Sequence, residues 1–173
     1  MIYSALQDRR GVSAVEFAIC LPFLVLLYAG GYQLSDATSA NRKVTTATRA
    51  VADLTSQYTS VSYDDLDTIL NASAQILAPY KISAAKVTVT QVYVDAKLVS
   101  TVSWSRGLNV NPLTPGAAFA LAATMKRADS YVIVANIDYA YTPVIASKMI
   151  GPIPMRDTII MWPRASAQVK LRT

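Results

Sequence analysis

The chain carries an uncharged, largely apolar run at residues 17–35, and its single glutamate, Glu16, stands directly before that run. At about 1.5 Å per helical residue, the run is long enough to cross the roughly 30 Å hydrocarbon core of a bilayer. A charged side chain costs about 2.5–3.5 kcal/mol at the centre of a spanning helix and less near its end. We therefore predict a membrane-spanning helix in which Glu16 has a function.

The residues around Glu16 form a recognisable order. The basic pair Arg9-Arg10 precedes Gly11, Glu16 follows that glycine by five positions, and Phe17 opens the apolar run. This order resembles the processing site of type IV pilins and pseudopilins. The longer stretch from Arg10 to Ala18, with Leu21-Pro22 after it, is more narrowly similar to the TadE/TadF minor pilins of the tight-adherence (Tad, or Flp) pilus.

The resemblance implies a processing event and a set of partners. A membrane prepilin peptidase would cut between Gly11 and Val12, with Glu16 and Phe17 serving in recognition and assembly. Residues 1–11 would be the leader, residues 12–35 the transmembrane half of a long helix, and residues 36–173 an exported pilin-like domain. The implied partners are that peptidase, other major and minor pilins, the Tad inner-membrane assembly machinery and membrane lipid.

Other interpretations of the N-terminal segment stay open. A secretory signal peptide has a shorter apolar core, of about 7–15 residues, and a plain anchor leaves Glu16 unexplained. An unprocessed single-pass protein with an exported binding domain is the main alternative. Arg9-Arg10 and Arg42-Lys43 flank the run almost evenly, so charge alone does not orient it. The resemblance implies a bacterial inner-membrane protein with a cytoplasmic N-terminus and a periplasmic domain, and leaves association with the pilus itself open.

The composition argues against catalysis and nucleic-acid binding. There is no histidine, and the one cysteine, Cys20, lies inside the apolar run, where a packing role is expected. The acidic group of Asp64, Asp65 and Asp67 lacks the glycine and glutamate of a calcium loop. The net charge of +5 is scattered along the chain, whereas nucleic-acid binders concentrate their basic residues. We expect no enzyme, no cofactor, no metal and no nucleic-acid partner.

The pattern of apolar residues predicts an α+β fold in which a long N-terminal helix packs on a small antiparallel sheet. The first helix is expected at residues 13–57 and a second one between Ser62 and Pro79, with its inward face at Leu66, Ile69, Leu70, Ser73 and Leu77. Strands are expected at residues 86–94, 98–105, 130–141 and 156–162, and an alanine-rich helix at residues 117–126. The stretches 131–143 and 161–164 also resemble TadE-like proteins.

Two packing expectations follow from this pattern. Val44, Val51 and Leu54 belong to one helical stripe and should pack on the sheet face that carries Ile133 and Ile137. The tyrosines of the strand at residues 130–141 alternate at period two, which is typical of a packed sheet face. An exposed partner or adhesive surface is the alternative for these tyrosines, and Tyr139 and Tyr141, near the strand end, are expected to be the more exposed ones.

Overall fold

The computed structural model describes residues 10–145 and 147–172, and for Arg10, Met149 and Ile150 it describes the backbone alone. Most of the expected leader, residues 1–9, lies outside the described range. The helices and strands, in chain order, are α1 (Arg10–Ser56), β1 (Ser60–Val61), α2 (Tyr63–Ala74), β2 (Ala85–Val94), β3 (Ser100–Leu108), β4 (Ser130–Tyr141), α3 (Ser147–Ile150), β5 (Ile153–Met161) and β6 (Lys170–Leu171). Short 3-10 helices occupy Gln75–Leu77, Ile82–Ala84 and Ala123–Met125.

Four of the strands form one antiparallel sheet in the order β3-β2-β4-β5. β2 and β4 lie in its centre and pair along the whole length of β2, from Ala85 opposite Tyr139 to Val94 opposite Ser130. α1 packs on one face of this sheet, and β1 and β6 form a separate two-stranded parallel sheet. The predicted α+β arrangement, a long apolar helix on a small antiparallel sheet, is confirmed.

The C-terminal part of α1 supplies one side of the main core. Ala40, Val44, Ala47 and Val51 are fully buried and belong to the same cluster as Ile133 and Ile137 of β4. Burial of such a stripe, rather than helix propensity, stabilises most helices in proteins.

The expectation for Leu54 is wrong, because its side chain is 39% exposed. Thr48, Ala52 and Thr55 are fully buried instead, so the buried face of α1 is rotated away from Leu54. A four-three spacing of apolar residues located most of the stripe, but two small polar residues, Thr48 and Thr55, also belong to the buried face of α1.

α2 begins and packs as the sequence predicts. The Ser62 hydroxyl accepts from the Asp65 backbone N–H, and the Asp65 carboxylate accepts from the Ser62 backbone N–H, which is a capping box. Leu66, Ile69, Leu70 and Ser73 are buried, whereas Leu77 is buried in the 3-10 helix that follows. The Arg106 side chain donates to both oxygens of Asp67, at 2.7 and 2.6 Å, and so joins α2 to β3.

The expected helix at residues 117–126 is not formed, apart from the 3-10 turn at Ala123–Met125. The backbone of this segment pairs with β3 instead: Val102 N–H donates to Ala117 O, and Phe119 N–H donates to Ser100 O. Leu121 then packs with Val92 and Val132 on the sheet face opposite α1. Contacts with the sheet therefore override the helix propensity of the alanines.

Strand ends differ from the prediction at β3 and β5. Leu98 has a positive φ of 63° and lies in the β2–β3 turn, where the Asp95 side chain accepts from Lys97 N–H and Val99 N–H. β3 therefore begins at Ser100, and β5 begins at Ile153 rather than Arg156 and ends before Trp162.

The C-terminal tail is fixed by two buried polar side chains, a feature that the sequence analysis did not anticipate. The Gln91 amide oxygen accepts from Val169 N–H at 2.8 Å, and the Trp104 indole N–H donates to Val169 O at 2.9 Å. Because a buried polar group without a partner is costly, these bonds specify where the tail runs. They place β6 next to β1, at the end of α1.

Candidate functional site

All four residues predicted to act in processing and assembly lie on the first two turns of α1. Gly11, Val12, Glu16 and Phe17 are exposed, as is each residue from Gly11 to Tyr28. None of the ion pairs among the described residues involves Glu16. The structure thus places these residues together on one projecting helix, and their roles stay predictions.

The geometry of this helix end brings two of them to one face. Val12 and Glu16 are one turn apart, so their side chains are neighbours on the helix surface. A Cβ atom added to Gly11 would meet no heavy atom within 4 Å, apart from the helix's own neighbouring backbone, so no other described part of the chain crowds this position. The same is true of Gly30 and Gly31, which leave the backbone of α1 accessible to a neighbouring helix.

The N-terminal half of α1 has the properties of a membrane span. Among the described residues, α1 is the one helix long and apolar enough to cross a bilayer. No residue of its most apolar stretch is buried inside the structure, whereas the core helix of a soluble protein is mostly buried. The helix is therefore compatible with a single-pass membrane protein.

A hydrogen-bonded cluster joins α1 to the sheet where the apolar run ends. Tyr141 of β4 donates from its hydroxyl to Asp36 Oδ2 at 2.5 Å, and Tyr80 donates to Asp36 Oδ1 at 2.9 Å. Gln33 Nε2 donates in turn to the Tyr141 hydroxyl at 2.6 Å. We call Gln33, Asp36, Tyr80 and Tyr141 the junction cluster. In this cluster the Asp36 carboxylate, which carries the first charge after the apolar run, accepts a hydrogen bond from each of the two tyrosine hydroxyls.

Burial in the cluster makes both phenols weaker acids. Burial, together with the hydrogen bond to the Asp36 carboxylate, raises the pKa of Tyr80 to about 12. The same two causes raise the pKa of Tyr141 well above its ordinary value. Both hydroxyls therefore keep their protons at physiological pH and act as donors to Asp36.

The expectation that Tyr139 and Tyr141 are exposed is wrong, because both are buried. Their rings lie edge-on to that of Tyr80, with centroids 6.5 and 6.1 Å apart. The strand end is covered by α1 and by the chain around Tyr80, which a period-two pattern alone does not reveal. The sequence offers one signal for this cluster, Asp36, which carries the first charge after the apolar run. Its tyrosine partners could not be predicted, because they lie far away in the sequence.

The sheet face opposite α1 carries a groove of about 440 Å³. Its floor is formed by residues of the central strands and its rim by the segment around Asn111 and Phe119. The lining is mixed, with Val134 and Ile160 apolar and Lys86, Asn136 and Asp138 polar. A groove of this size falls in the range of ligand pockets, so it is a candidate binding surface on this face.

Comparison with known proteins bears on α1. Residues 11–53 match the family model described as "TadE-like protein". No curated protein and no solved structure matches the chain. The matched range begins at Gly11, includes Glu16 and the apolar run, and ends in the part of α1 that packs on the sheet. The resemblance of residues 131–143 and 161–164 to TadE-like proteins lies outside this range and stays a prediction. With its exposed apolar half, α1 fits a Tad pilus-associated membrane protein, and residues 11–53 are similar to the TadE-like family.

Proposed function

We propose that the chain is a minor pilin or pseudopilin that takes part in assembly or initiation of a Tad-type pilus. It is inserted in the inner membrane through residues 12–35, with a cytoplasmic N-terminus and a periplasmic domain, and is cut after Gly11 by a prepilin peptidase. Its partners are that peptidase, other pilins and the Tad inner-membrane machinery.

The observation that carries the proposal is that the TadE-like match at residues 11–53 includes the whole exposed, apolar half of α1. A helix that served only as an anchor would need an apolar surface and nothing more. This helix also presents an open glycine and an exposed carboxylate at its N-terminal end. These features support a subunit that is processed and then contacts other helices.

The assembly mechanism is electrostatic. Cleavage after Gly11 leaves a free ammonium group on Val12, one helical turn from Glu16 of the same chain. A neighbouring subunit shifted along the helix axis by about 6 Å would bring its Glu16 beside that ammonium. In a medium of low dielectric constant, an unpaired charge is costly and an opposite charge nearby is strongly attractive. The pair therefore favours one register between helices.

We further propose that the role is structural rather than enzymatic. The chain has no histidine, and the described residues contain no group of three side chains suited to hold a metal ion. Recognition by packed helices and by charge pairing needs none of these groups.

Processing tests the proposal directly. We expect Gly11→Leu to block cleavage in the native host, because a bulky side chain at the cut is hard for a peptidase to accommodate. Mass spectrometry of the purified native chain should show an N-terminus at Val12 for the wild type and the full-length chain for Gly11→Leu. Gly30→Leu is the matched control, because that glycine is equally open and lies on the same helix. It should be processed normally.

A mature-sized Gly11→Leu product would contradict the proposed cut. An uncleaved wild-type chain would favour the second candidate function, a single-pass protein with an exported binding domain. The groove on the sheet face opposite α1 is the observation that favours this alternative. Processing at Gly11 separates the two, because a plain anchor has no need of it.

A further inference from the structure

The segment between β4 and β5 exposes apolar side chains. Val144 is 68% exposed, Ile145 is 41% exposed, and Ile153 at the start of β5 is 37% exposed. Lys148 is the one charged residue in the sequence between Tyr141 and Arg156. A connection in water is usually built from polar and turn-forming residues. We call residues 142–153 the apolar connection.

Hydrogen bonds hold the apolar connection beside the membrane helix. The backbone N–H of Ile145 donates to Gln33 Oε1 at 2.9 Å, and Gln33 Nε2 donates to the Tyr141 hydroxyl. Tyr141 is bonded in turn to Asp36. Tyr141, which directly precedes the connection, is thus a member of the junction cluster, and Ile145 within the connection is bonded to Gln33 of the same cluster.

This attachment fixes the height of the connection relative to a bilayer. Gln33 lies inside the uncharged run of residues 17–35, two positions before its end. A run that fills a hydrocarbon core of about 30 Å places Gln33 at the boundary between acyl chains and headgroups. Ile145, bonded to Gln33, lies at that same boundary, and so does the exposed Val144 next to it.

We propose that the apolar connection inserts into the headgroup–acyl boundary beside α1 and forms a second membrane contact of this subunit. The inference rests on the proposed function, because it requires α1 to span a membrane. Shallow burial of an apolar surface at this boundary is how interfacial segments bind lipid. The exported domain is then held to the bilayer at two points, which restricts its rotation about the axis of α1.

Continuity and charge both favour lipid as the occupant of this surface. Ile145 of the connection is bonded to Gln33 of α1, whose neighbours along the helix, Tyr32 and Leu34, are exposed, and tyrosine is a residue type enriched at membrane interfaces. Lys148 and Lys81 are exposed, and Lys81 lines a shallow pocket together with Thr142. Asp36, the acid of the junction cluster, is already bonded to two phenols. The surface thus offers cations and apolar groups, as an anionic membrane requires.

Depth-dependent fluorescence quenching tests the inference on the full chain in vesicles of phosphatidylcholine and phosphatidylglycerol. Cys20 is the only cysteine and lies in the run, so a nitrobenzoxadiazole label on it reports insertion of α1. In a Cys20→Ser background, Val144→Cys and Ile153→Cys carry the label on the apolar connection. Val99→Cys is the control, because Val99 is 50% exposed in the β2–β3 turn, at the opposite end of the sheet.

We expect the labels at residues 144 and 153 to shift their emission to shorter wavelength and to be quenched by lipids spin-labelled near the headgroup. The label at residue 99 should show neither change, and the Cys20 label should be quenched most by deeply placed spin labels. Quenching at Cys20 with residues 144 and 153 unquenched would overturn the second contact and leave the proposed function intact. Absence of quenching at Cys20 would overturn both.

Discussion

Glu16 is the residue that folding explains least, because it lies on an exposed, otherwise apolar helix surface and contributes to no ion pair among the described residues. If it pairs with a neighbour's N-terminus, Glu16→Gln keeps the size of the side chain and removes the pair. We expect membrane insertion to be unchanged or improved, since a charge leaves the span, while pilus production falls. Cell fractionation and counts of pili by electron microscopy measure the two effects. Normal piliation with stable Glu16→Gln protein would show that the carboxylate is incidental.

At the same scale, the Tyr141 hydroxyl is bonded to both Gln33 and Asp36 and so connects two members of the junction cluster. Tyr141→Phe removes its donation to Asp36 and its acceptance from Gln33. A hydrogen bond to a charged group contributes about 1.5–3 kcal/mol to stability. We therefore expect the melting temperature of the purified chain in detergent to fall by several degrees, as measured by circular dichroism.

Tyr93→Phe is the matched control for this change. The Tyr93 hydroxyl also donates to an aspartate, Asp129, but at 3.2 Å and on the surface. Exposed polar contacts of this kind add little to stability, so the melting temperature should hardly move. Equal effects of the two substitutions would mean that the junction cluster adds no more than a surface contact.

At the scale of elements, the packing of α1 on the sheet depends on which side of the helix faces β4. Val51 is fully buried in the main core, whereas Leu54 is partly exposed. Val51→Ala removes two buried methyl groups and should cost about 2 kcal/mol, from the transfer term and the residual cavity together. Leu54→Ala removes more atoms but should cost clearly less. Urea unfolding of both variants would measure the difference, and a larger loss for Leu54→Ala would contradict the observed rotation of α1.

At the scale of the whole molecule, the N-terminal half of α1 is exposed and apolar, whereas its C-terminal half packs on the sheet. Among its described side chains, those before Ala37 are not part of the main core cluster, whereas Ala40, Val44, Ala47, Val51 and Ala52 belong to it. We therefore expect fragments 33–173 and 37–173 both to fold without detergent, since the core is present in each. The longer fragment should melt at the higher temperature, because it alone retains Gln33 and Asp36.

Asp36→Ala in the longer fragment is the control, and it should bring the melting temperature close to that of the shorter one. Size-exclusion chromatography and circular dichroism report folding of each fragment. Failure of both to fold would show that the exported domain needs the membrane half of α1. Equal melting of the two would show that the junction cluster does not stabilise the domain.

The sequence predicted those features whose cause is local. Glu16, Gly11 and the apolar run marked the exposed half of α1, and Ser62 with Asp65 marked the start of α2. Errors arose where a distant segment decided the outcome. Tyr139 and Tyr141 are buried because α1 and the chain around Tyr80 cover their strand end. The helix expected at residues 117–126 does not form, because its first residues, 117–119, pair with β3 instead.

By itself, the sequence determined a span-length apolar helix, the resemblance of its N-terminal segment to TadE-like proteins, and the alternation of the central strands. These follow from periodicity and from residues adjacent in the chain. Only the tertiary structure decided which side of α1 is buried, which groups bond to Asp36, and that the apolar connection lies beside Gln33. Those contacts join segments far apart in sequence, and their geometry depends on how the helix is seated on the sheet, which no local pattern records.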